Sequence, residues 1–327
     1  MVNKVHHLLV SAVAAGCVVV ACDSAGTQDD PSSFGVTGSG GDSGSLNQRD
    51  SEVLGSSDSE VSADTACKKM DIVFVVDNSL SMKEEQTNLA SNFPKFVDVL
   101  NKFTSKNGEP IDYRIAVTTT GIDVNVTEVI SGKNQPTEVQ KGENGAFKTT
   151  TGMTRPWLER SDANISSTFT TIANVGLAGP SWEMPLEGSR RALGDRLQDT
   201  NKGFVRDDAL LGIVYLTDED DCSLTKANIT LPEGSTCSAV SEPTGTYTSF
   251  FDKLKGVRGR WAAAVIAGQT KCKSTFGSAI EAKRLKTFVT EVGASAIFSS
   301  ICEGDLSKGL EEALNTFNTA CKSFPAH

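Results

Sequence analysis

The run Ile72-Val73-Phe74-Val75-Val76-Asp77-Asn78-Ser79-Leu80-Ser81 decides the fold. Its first five residues are β-branched or aromatic without interruption, as expected of a strand buried on both faces of a parallel sheet. It then breaks at once into a carboxylate, an amide and two hydroxyls. Beyond that break Leu89, Phe93, Phe96, Val97, Leu100 and Phe103 recur at helical spacing. Working outward, residues 113–117 and 210–216 read as further strands, as do residues 261–267 and 294–299. Each of the last two is followed by a helical stretch, residues 278–292 and 305–319. Residues 185–197 read as a helix that opens on a proline suited to a first turn. Residues 121–180 are rich in Thr, Asn and Gly; they predict a hairpin and a short helix near residues 169–175. Strands alternating with helices predict an α/β fold: a doubly wound, mostly parallel sheet with helices on both faces. No repeat and no second hydrophobic core stands out, so residues 67–327 read as one domain.

Composition narrows the chemistry. The 327 residues carry 31 Lys+Arg against 41 Asp+Glu, a formal charge of −10. That balance argues against nucleic acid, because phosphate binding needs concentrated positive charge. Histidine occurs three times, at His6, His7 and His327. Ser-His-Asp and Cys-His catalysis, histidine-held zinc and histidine-held haem are all disfavoured. The chemistry is left to carboxylates, hydroxyls and metal ions, and an enzyme is not expected.

Residues 1–22 have the form of a secretory leader: Lys4, an apolar stretch too short to prefer a membrane span, and small residues before Cys22. Val19-Val20-Ala21-Cys22 resembles the lipobox of bacterial lipoproteins, whose cysteine is lipidated. Cys22 is therefore the expected anchor, with Ala14-Ala15-Gly16-Cys17 a weaker second candidate. The resemblance implies a lipid-anchored protein of the bacterial cell envelope, at the periplasmic face of the outer membrane or at the cell surface. Residues 23–66 hold eleven Ser, seven Gly and nine acids against a single Arg49. Such a segment cannot bury enough surface to offset its ordering entropy and reads as a tether.

Ligand groups in open α/β sheets gather beyond the carboxyl ends of the strands, where the strand order reverses. In a 3-2-1-4-5-6 order that crevice lies between strands 1 and 4. With residues 210–216 as the fourth strand, Asp77 and Asp218 meet there. Ser79 and Ser81, at alternate positions of a tight turn, can aim their hydroxyls at the same point. Two carboxylates and two hydroxyls suit a hard divalent cation, Mg²⁺ in the first place with Mn²⁺ or Ca²⁺ as alternatives. Uncharged hydroxyls leave the cation under-neutralised, so an acidic group of a protein partner can complete the shell.

Asp77-x-Ser79-x-Ser81 at the end of one strand, with Thr217-Asp218 ending a later one, resembles the von Willebrand factor A family. The first motif is similar to its metal-ion-dependent adhesion site. The likeness implies an adhesion or interaction module with Asp77, Ser79 and Ser81 on the cation and Asp218 beside it, directly or through water. The family also brings a threonine from a middle loop. No Thr occurs here between Thr171 and Thr200; Ser181 is the closest hydroxyl and Glu183 offers a carboxylate. Glu219 also stands where the family has glycine.

Each feature has a plainer reading. Asp-x-Ser-x-Ser after a strand is also how a helix cap looks. Ser181 and Glu183 fit a loop-to-helix cap equally well, Glu219-Asp220-Asp221 a solvated acidic turn, and Trp182 a plug against the sheet. Two other functions stay open: a Mg²⁺-dependent phosphatase of the haloacid-dehalogenase type, whose motif wants an acid where Ser79 stands, and a structural lipoprotein with a decayed site. Setting Cys17 and Cys22 aside leaves six cysteines, hence three disulfides in an exported chain. The layout favours Cys67–Cys321 bracketing the domain and Cys222–Cys237 stapling the loop after the fourth strand. Cys272–Cys302 would then join the ends of neighbouring strands.

Overall fold

Met70 to Val76 are completely buried, so the opening strand is the centre of the structure. The computed structural model describes residues 67–324 apart from Lys106 and Phe276; the leader, Cys17, Cys22, the 23–66 tether and His327 lie outside the described residues. In chain order the elements are β1 (Lys69–Val76), α1 (Lys83–Lys102), β2 (Asp112–Thr119), β3 (Val124–Ile130), β4 (Lys133–Gln140), β5 (Leu158–Glu159), α2 (Ile165–Ala173) and α3 (Pro185–Ala192). They continue with β6 (Leu210–Leu216), β7 (Asn228–Leu231), α4 (Thr244–Lys255), β8 (Trp261–Ala267), β9 (Cys272–Ser274), β10 (Gly277–Ala279), α5 (Lys283–Val292), β11 (Ala296–Ser300) and α6 (Leu306–Lys322).

The main sheet runs β11-β8-β6-β1-β2-β5, all parallel except the two-residue edge strand β5. Counted along the chain within this sheet, that is the expected 3-2-1-4-5-6 order, with β6 as the fourth strand beside β1. Alternate side chains of β1 go to opposite faces. Ile72, Phe74 and Val76 pack with Phe93 and Phe96 of α1, Phe169 of α2 and Phe317 of α6. Val73 and Val75 pack with Leu186 of α3, Phe251 of α4 and Phe288 of α5. Phe74 sits in an aromatic cluster, its ring 5.0 Å from both Phe96 and Phe169. The fold is therefore α/β, a mostly parallel sheet with helices on both faces.

Three details differ from the sequence reading. A second, three-stranded sheet, β4-β3-β7, carries its own small apolar cluster of Ile122, Val124, Val126, Met184, Ile229 and Leu231, with Trp182 packed against it. The hairpin half of it was expected; β7, with four alternating residues, is too short to announce itself. Residues 278–282 are not helical: β9 and β10 form a hairpin, and α5 begins only at Lys283. Its start is set from outside, by the Asp220 carboxylate, which accepts the backbone N–H of Arg284 at 3.0 Å. The helix expected over 185–197 ends at Ala192 and resumes as a short 3-10 turn, Asp195–Gln198.

The three disulfides are Cys67–Cys321, Cys222–Cys237 and Cys272–Cys302, with Cα separations of 5.1, 5.4 and 6.3 Å. Among the described residues no helix is long and apolar enough to cross a membrane.

Gly212 of β6 faces Phe317 of α6, and a Cβ there would stand 2.6 Å from the ring. Gly212→Ala therefore overpacks the centre of one face. We expect a loss of about 1–3 kcal/mol, read as a lower urea midpoint at unchanged slope; an unchanged midpoint would show that α6 yields freely.

Candidate metal centre

The register of β1 against β6 pairs Val76 with Leu216, so both strands end at the same level. The chain continues the pairing by one bond, the N–H of Asp77 donating to the carbonyl of Leu216 at 2.9 Å. The next side chains on both strands therefore emerge side by side. Thr217 Oγ1 donates to Asp77 Oδ2 at 2.7 Å, and the N–H of Ser79 donates to Asp77 Oδ1 at 2.8 Å. Ser79 Oγ lies 3.0 Å from Ser81 Oγ, and Ser81 Oγ donates to Asp218 Oδ1 at 3.3 Å. Asp77, Ser79, Ser81 and Asp218 thus form one connected cluster, although 137 residues separate Ser81 from Asp218.

The capping reading of the motif fails on geometry. Neither Ser79, which precedes the 3-10 turn Leu80–Met82, nor Met82, which precedes α1, makes a side-chain capping bond. The serine hydroxyls are turned to each other and to Asp218. Gln86 of α1 fastens the motif from behind, donating to the carbonyls of Asp77 and Gly176 at 2.9 and 2.8 Å. Gly179 closes over Asn78: a Cβ on it would meet Asn78 Oδ1 at 2.2 Å.

Of the two middle-loop candidates, Glu183 is the one that stands with Asp77. It is 1% exposed, and its Oε2 has no hydrogen-bond partner. Burial first, then the charges of Asp77 and Glu219, push its pKa up to about 10. Ser181 is exposed on the loop and bonds to Gln140 at the end of β4, through its backbone N–H at 3.0 Å and its hydroxyl at 3.4 Å. Asp218, 3% exposed, is pushed up to about 7 by burial, with Asp77 and Glu85 adding repulsion. Burial also raises the pKa of Asp77.

The sequence reading named Glu219 and Thr217 without giving either its role at the site, and it missed Glu85. The charge of Glu219 adds to the upward pKa shifts of Asp77 and Glu183. Thr217 was recognised as part of the motif, but its bond to Asp77 was not. Glu85, in the first turn of α1, is 1% exposed with neither carboxylate oxygen partnered, and burial raises its pKa. An acid in a first helical turn ordinarily complements the helix dipole in solvent, and nothing local distinguishes this one.

The acidic run is neither a solvated turn nor a second metal site. Asp220 caps α5 as described above. Asp221, 1% exposed, accepts the N–H of Leu186 at the start of α3 and pairs with Arg284 of α5 at 3.0 Å. Ser223 Oγ accepts the N–H of Glu187 at 2.8 Å. The loop after β6 thus sends Asp218 into the site and uses its next acids to hold two helices. Among the described residues no three His, Cys, Asp or Glu side chains are gathered into a ready-made metal cage; the cluster mixes carboxylates with hydroxyls.

No protein-family model matches this chain, and no curated protein matches it. Solved structures do. Proximal thread matrix protein 1 from the mussel byssus is 15% identical over 77% of this chain and 46% of its own, with a TM-score of 0.36. A second structure of it is described as having a zinc occupied MIDAS motif, with the same identity and score over 79% of this chain. The pilus adhesin SpaC from Lactobacillus rhamnosus GG is 11% identical over 78% of this chain and 31% of its own, TM-score 0.40. The manganese-loaded TRAP protein of Plasmodium vivax is 12% identical over 74% and 72%, TM-score 0.33. This chain spans less than half of the mussel and Lactobacillus chains, so the functional reading rests on the site's own geometry.

Two measurements follow from that geometry. A carboxyl whose folded pKa is raised holds its proton more tightly folded than unfolded, so its contribution to stability falls as pH rises. In chelator, stability is expected to decline as pH rises from the ordinary carboxylate range toward about 7 for Asp218 and about 10 for Glu183. Urea midpoints at about pH 5 and about pH 8 read it, and Glu183→Gln should flatten the decline; an equal slope in that variant counts against the placement of Glu183. Separately, Arg284→Ala leaves Asp221 buried and unpaired, at an expected cost of about 3–5 kcal/mol, measured by the same midpoint.

Proposed function

We propose that this protein is a non-enzymatic, divalent-cation-dependent binding module, held at the bacterial cell envelope by a lipid on Cys22. One observation carries the reading. Asp77 and Asp218, both buried and on different strands, share a rim with the hydroxyls of buried Ser79 and Thr217 and of exposed Ser81, and no lysine or arginine pairs with either acid among the described residues. Burying carboxylates together costs free energy unless something positive joins them.

The donors fit the group the reading needs. All are oxygens, which favours Mg²⁺, Mn²⁺ or Ca²⁺ over softer metals. The unpartnered Oε2 of Glu183 supplies a free acceptor on the same rim. Asp77, Ser79, Ser81 and Glu183 would hold the cation, with Asp218 directly or through water. The cation supplies positive charge at an otherwise acidic rim and a position where a partner's oxygen can bind. Orientation belongs to the chain: Thr217 and the N–H of Ser79 fix the Asp77 carboxylate, and Gln86 fixes the turn. The phosphatase reading is weaker, because Ser79 stands where that motif needs an acid and its hydroxyl is engaged with Ser81.

Calorimetry of the full chain with Mg²⁺ and with Mn²⁺ tests the proposal. Saturable binding at millimolar metal or below, lost in Asp77→Ala, is the expected result. Absence of binding, or binding unchanged in that variant, rejects it.

A further inference from the structure

The β9–β10 hairpin stands beside the cluster and supplies none of its oxygens. It is fixed from several sides. The N–H of Ile280, the residue after β10, donates to the carbonyl of Asp218 at 2.9 Å, and the N–H of Ala282 donates to the carbonyl of Gly268 at 2.9 Å. Cys272 of β9 is bonded to Cys302, just beyond β11. Gly277 lies against the Glu85 carboxylate so closely that a Cβ on it would overlap Oε1. Held in this way, the hairpin keeps one face inward and one face outward.

Side chains alternate between those faces. The register pairs Ala279 with Cys272 and Ser278 with Lys273. Ala279 is buried and Cys272 half-buried on the inner side; Lys273, Ser278 and Ile280 are exposed on the outer side, as is Lys271 one residue before β9. The outer face has the opposite charge to the chain as a whole. The protein has a formal charge of −10, yet residues 267–280 contain Lys271 and Lys273 and no Asp or Glu. Neither lysine has an ion pair among the described residues. The acids beside the hairpin are taken by other lysines, Glu281 by Lys286 at 2.7 Å and Glu303 by Lys308 at 3.7 Å.

The spacing joins this face to the rim. Ser278 is two residues from Ile280, about 7 Å along the strand, and Lys273 stands about 5 Å across from Ser278. Two free ammonium groups and an apolar side chain that is 46% exposed therefore lie within a short peptide's length of Asp218. Positive charge around an apolar contact suits a partner that is acidic and carries an apolar residue.

We propose that the outer face of this hairpin is the second half of the docking surface, and that its occupant is an extended acidic segment of a protein partner. One carboxylate of that segment goes to the cation and a second to Lys271 and Lys273, with an apolar residue between them against Ile280. In an extended chain the residues at positions one, three and five share a face and span about 13 Å, which matches this order of groups. The disulfide and the Asp218–Ile280 bond hold the lysines in place before the partner arrives, so little ordering is left to the encounter. This inference rests on the cation reading above and deepens it by naming what the partner carries beyond its first acid.

Two labelled peptides test it by fluorescence anisotropy with the full chain in saturating Mn²⁺: acetyl-Asp-Thr-Leu-Thr-Asp-amide, and the same peptide with its first aspartate replaced by asparagine. The wild type is expected to bind the two-acid peptide about three- to tenfold more tightly, and added salt to erase the difference. Lys271→Gln with Lys273→Gln should remove the preference while Mn²⁺ affinity, read by calorimetry, stays unchanged. Lys271→Glu with Lys273→Glu should invert it, a result that loss of structure alone does not produce. Equal binding of the two peptides by the wild type, no binding of either by the Mn²⁺-loaded protein, or a preference that survives in the glutamine variant overturns the proposal. Absence of Asp77-dependent Mn²⁺ binding in the wild type overturns the cation reading and this inference with it, whereas the other failures leave the cation reading standing.

Discussion

Everything in the site depends on the pairing of β1 with β6 in the register that sets Val76 against Leu216. The pairing is parallel, so both chains leave the sheet at the same end, and hydrogen bonding between neighbouring strands brings their terminal side chains into contact. A shift of one residue would turn Asp77 toward the opposite face and exchange Ile72, Phe74 and Val76 with Val73 and Val75 between the two helix layers. Both faces are closed by large side chains, Phe93, Phe96 and Phe317 on one and Phe251 and Phe288 on the other. The register is therefore held by the hydrophobic core, and the core holds together two acids that would otherwise separate.

The chain supplies its own comparison for what those acids are doing. Among the described residues seven Asp or Glu are buried: Asp71, Asp77, Glu85, Glu183, Glu187, Asp218 and Asp221. Three of them meet guanidinium groups, Asp71 with Arg206, Glu187 with Arg190 and Arg191, and Asp221 with Arg284. The other four, Asp77, Glu85, Glu183 and Asp218, have no ion pair among the described residues, and Asp77 and Asp218 end the neighbouring strands β1 and β6. Where this protein uses a buried carboxylate as a strut it provides an arginine, which is how desolvated charge is ordinarily satisfied. At one rim it provides hydroxyls and more carboxylates instead. Clustered, mutually repelling groups of this kind are a mark of functional sites, and the contrast lies within a single sheet.

Much of this was legible in the sequence, for reasons that differ by element. β1, β6 and β8 announce themselves as unbroken apolar runs because both faces are buried. The position of Asp77 and Asp218 followed from strand order alone, and the disulfides from which segments leave the sheet together. What escaped depends on partners distant in sequence. The start of α5 is set by Asp220, more than sixty residues earlier, so the period of its own residues places it too early. Glu85 looks like a solvent-facing acid because its burial is caused by the β9–β10 hairpin, whose Gly277 lies against its carboxylate and is not visible locally. Ser181 and Glu183 sit two residues apart in one loop, and sequence offers no reason to prefer the carboxylate. The structure separates them, tying Ser181 to Gln140 and leaving Glu183 beside Asp77.

Holding so many acids together requires that the loops carrying them cannot relax apart, and the segment after β6 shows how this is done. Asp218 enters the site while its carbonyl accepts the N–H of Ile280. Asp220 caps α5, Asp221 caps α3 and pairs with Arg284, and the N–H of Cys222 donates to the carbonyl of Glu183 at 2.8 Å. The Cys222–Cys237 disulfide then closes the loop. Five consecutive residues thus connect β6 to two helices, to the hairpin before α5 and to the Glu183 loop. The loop that carries Asp218 is therefore fixed by helix caps and a buried ion pair. A ligand that neutralises the rim then recovers electrostatic free energy without ordering much chain, which is the condition under which a preformed site binds with little entropic loss.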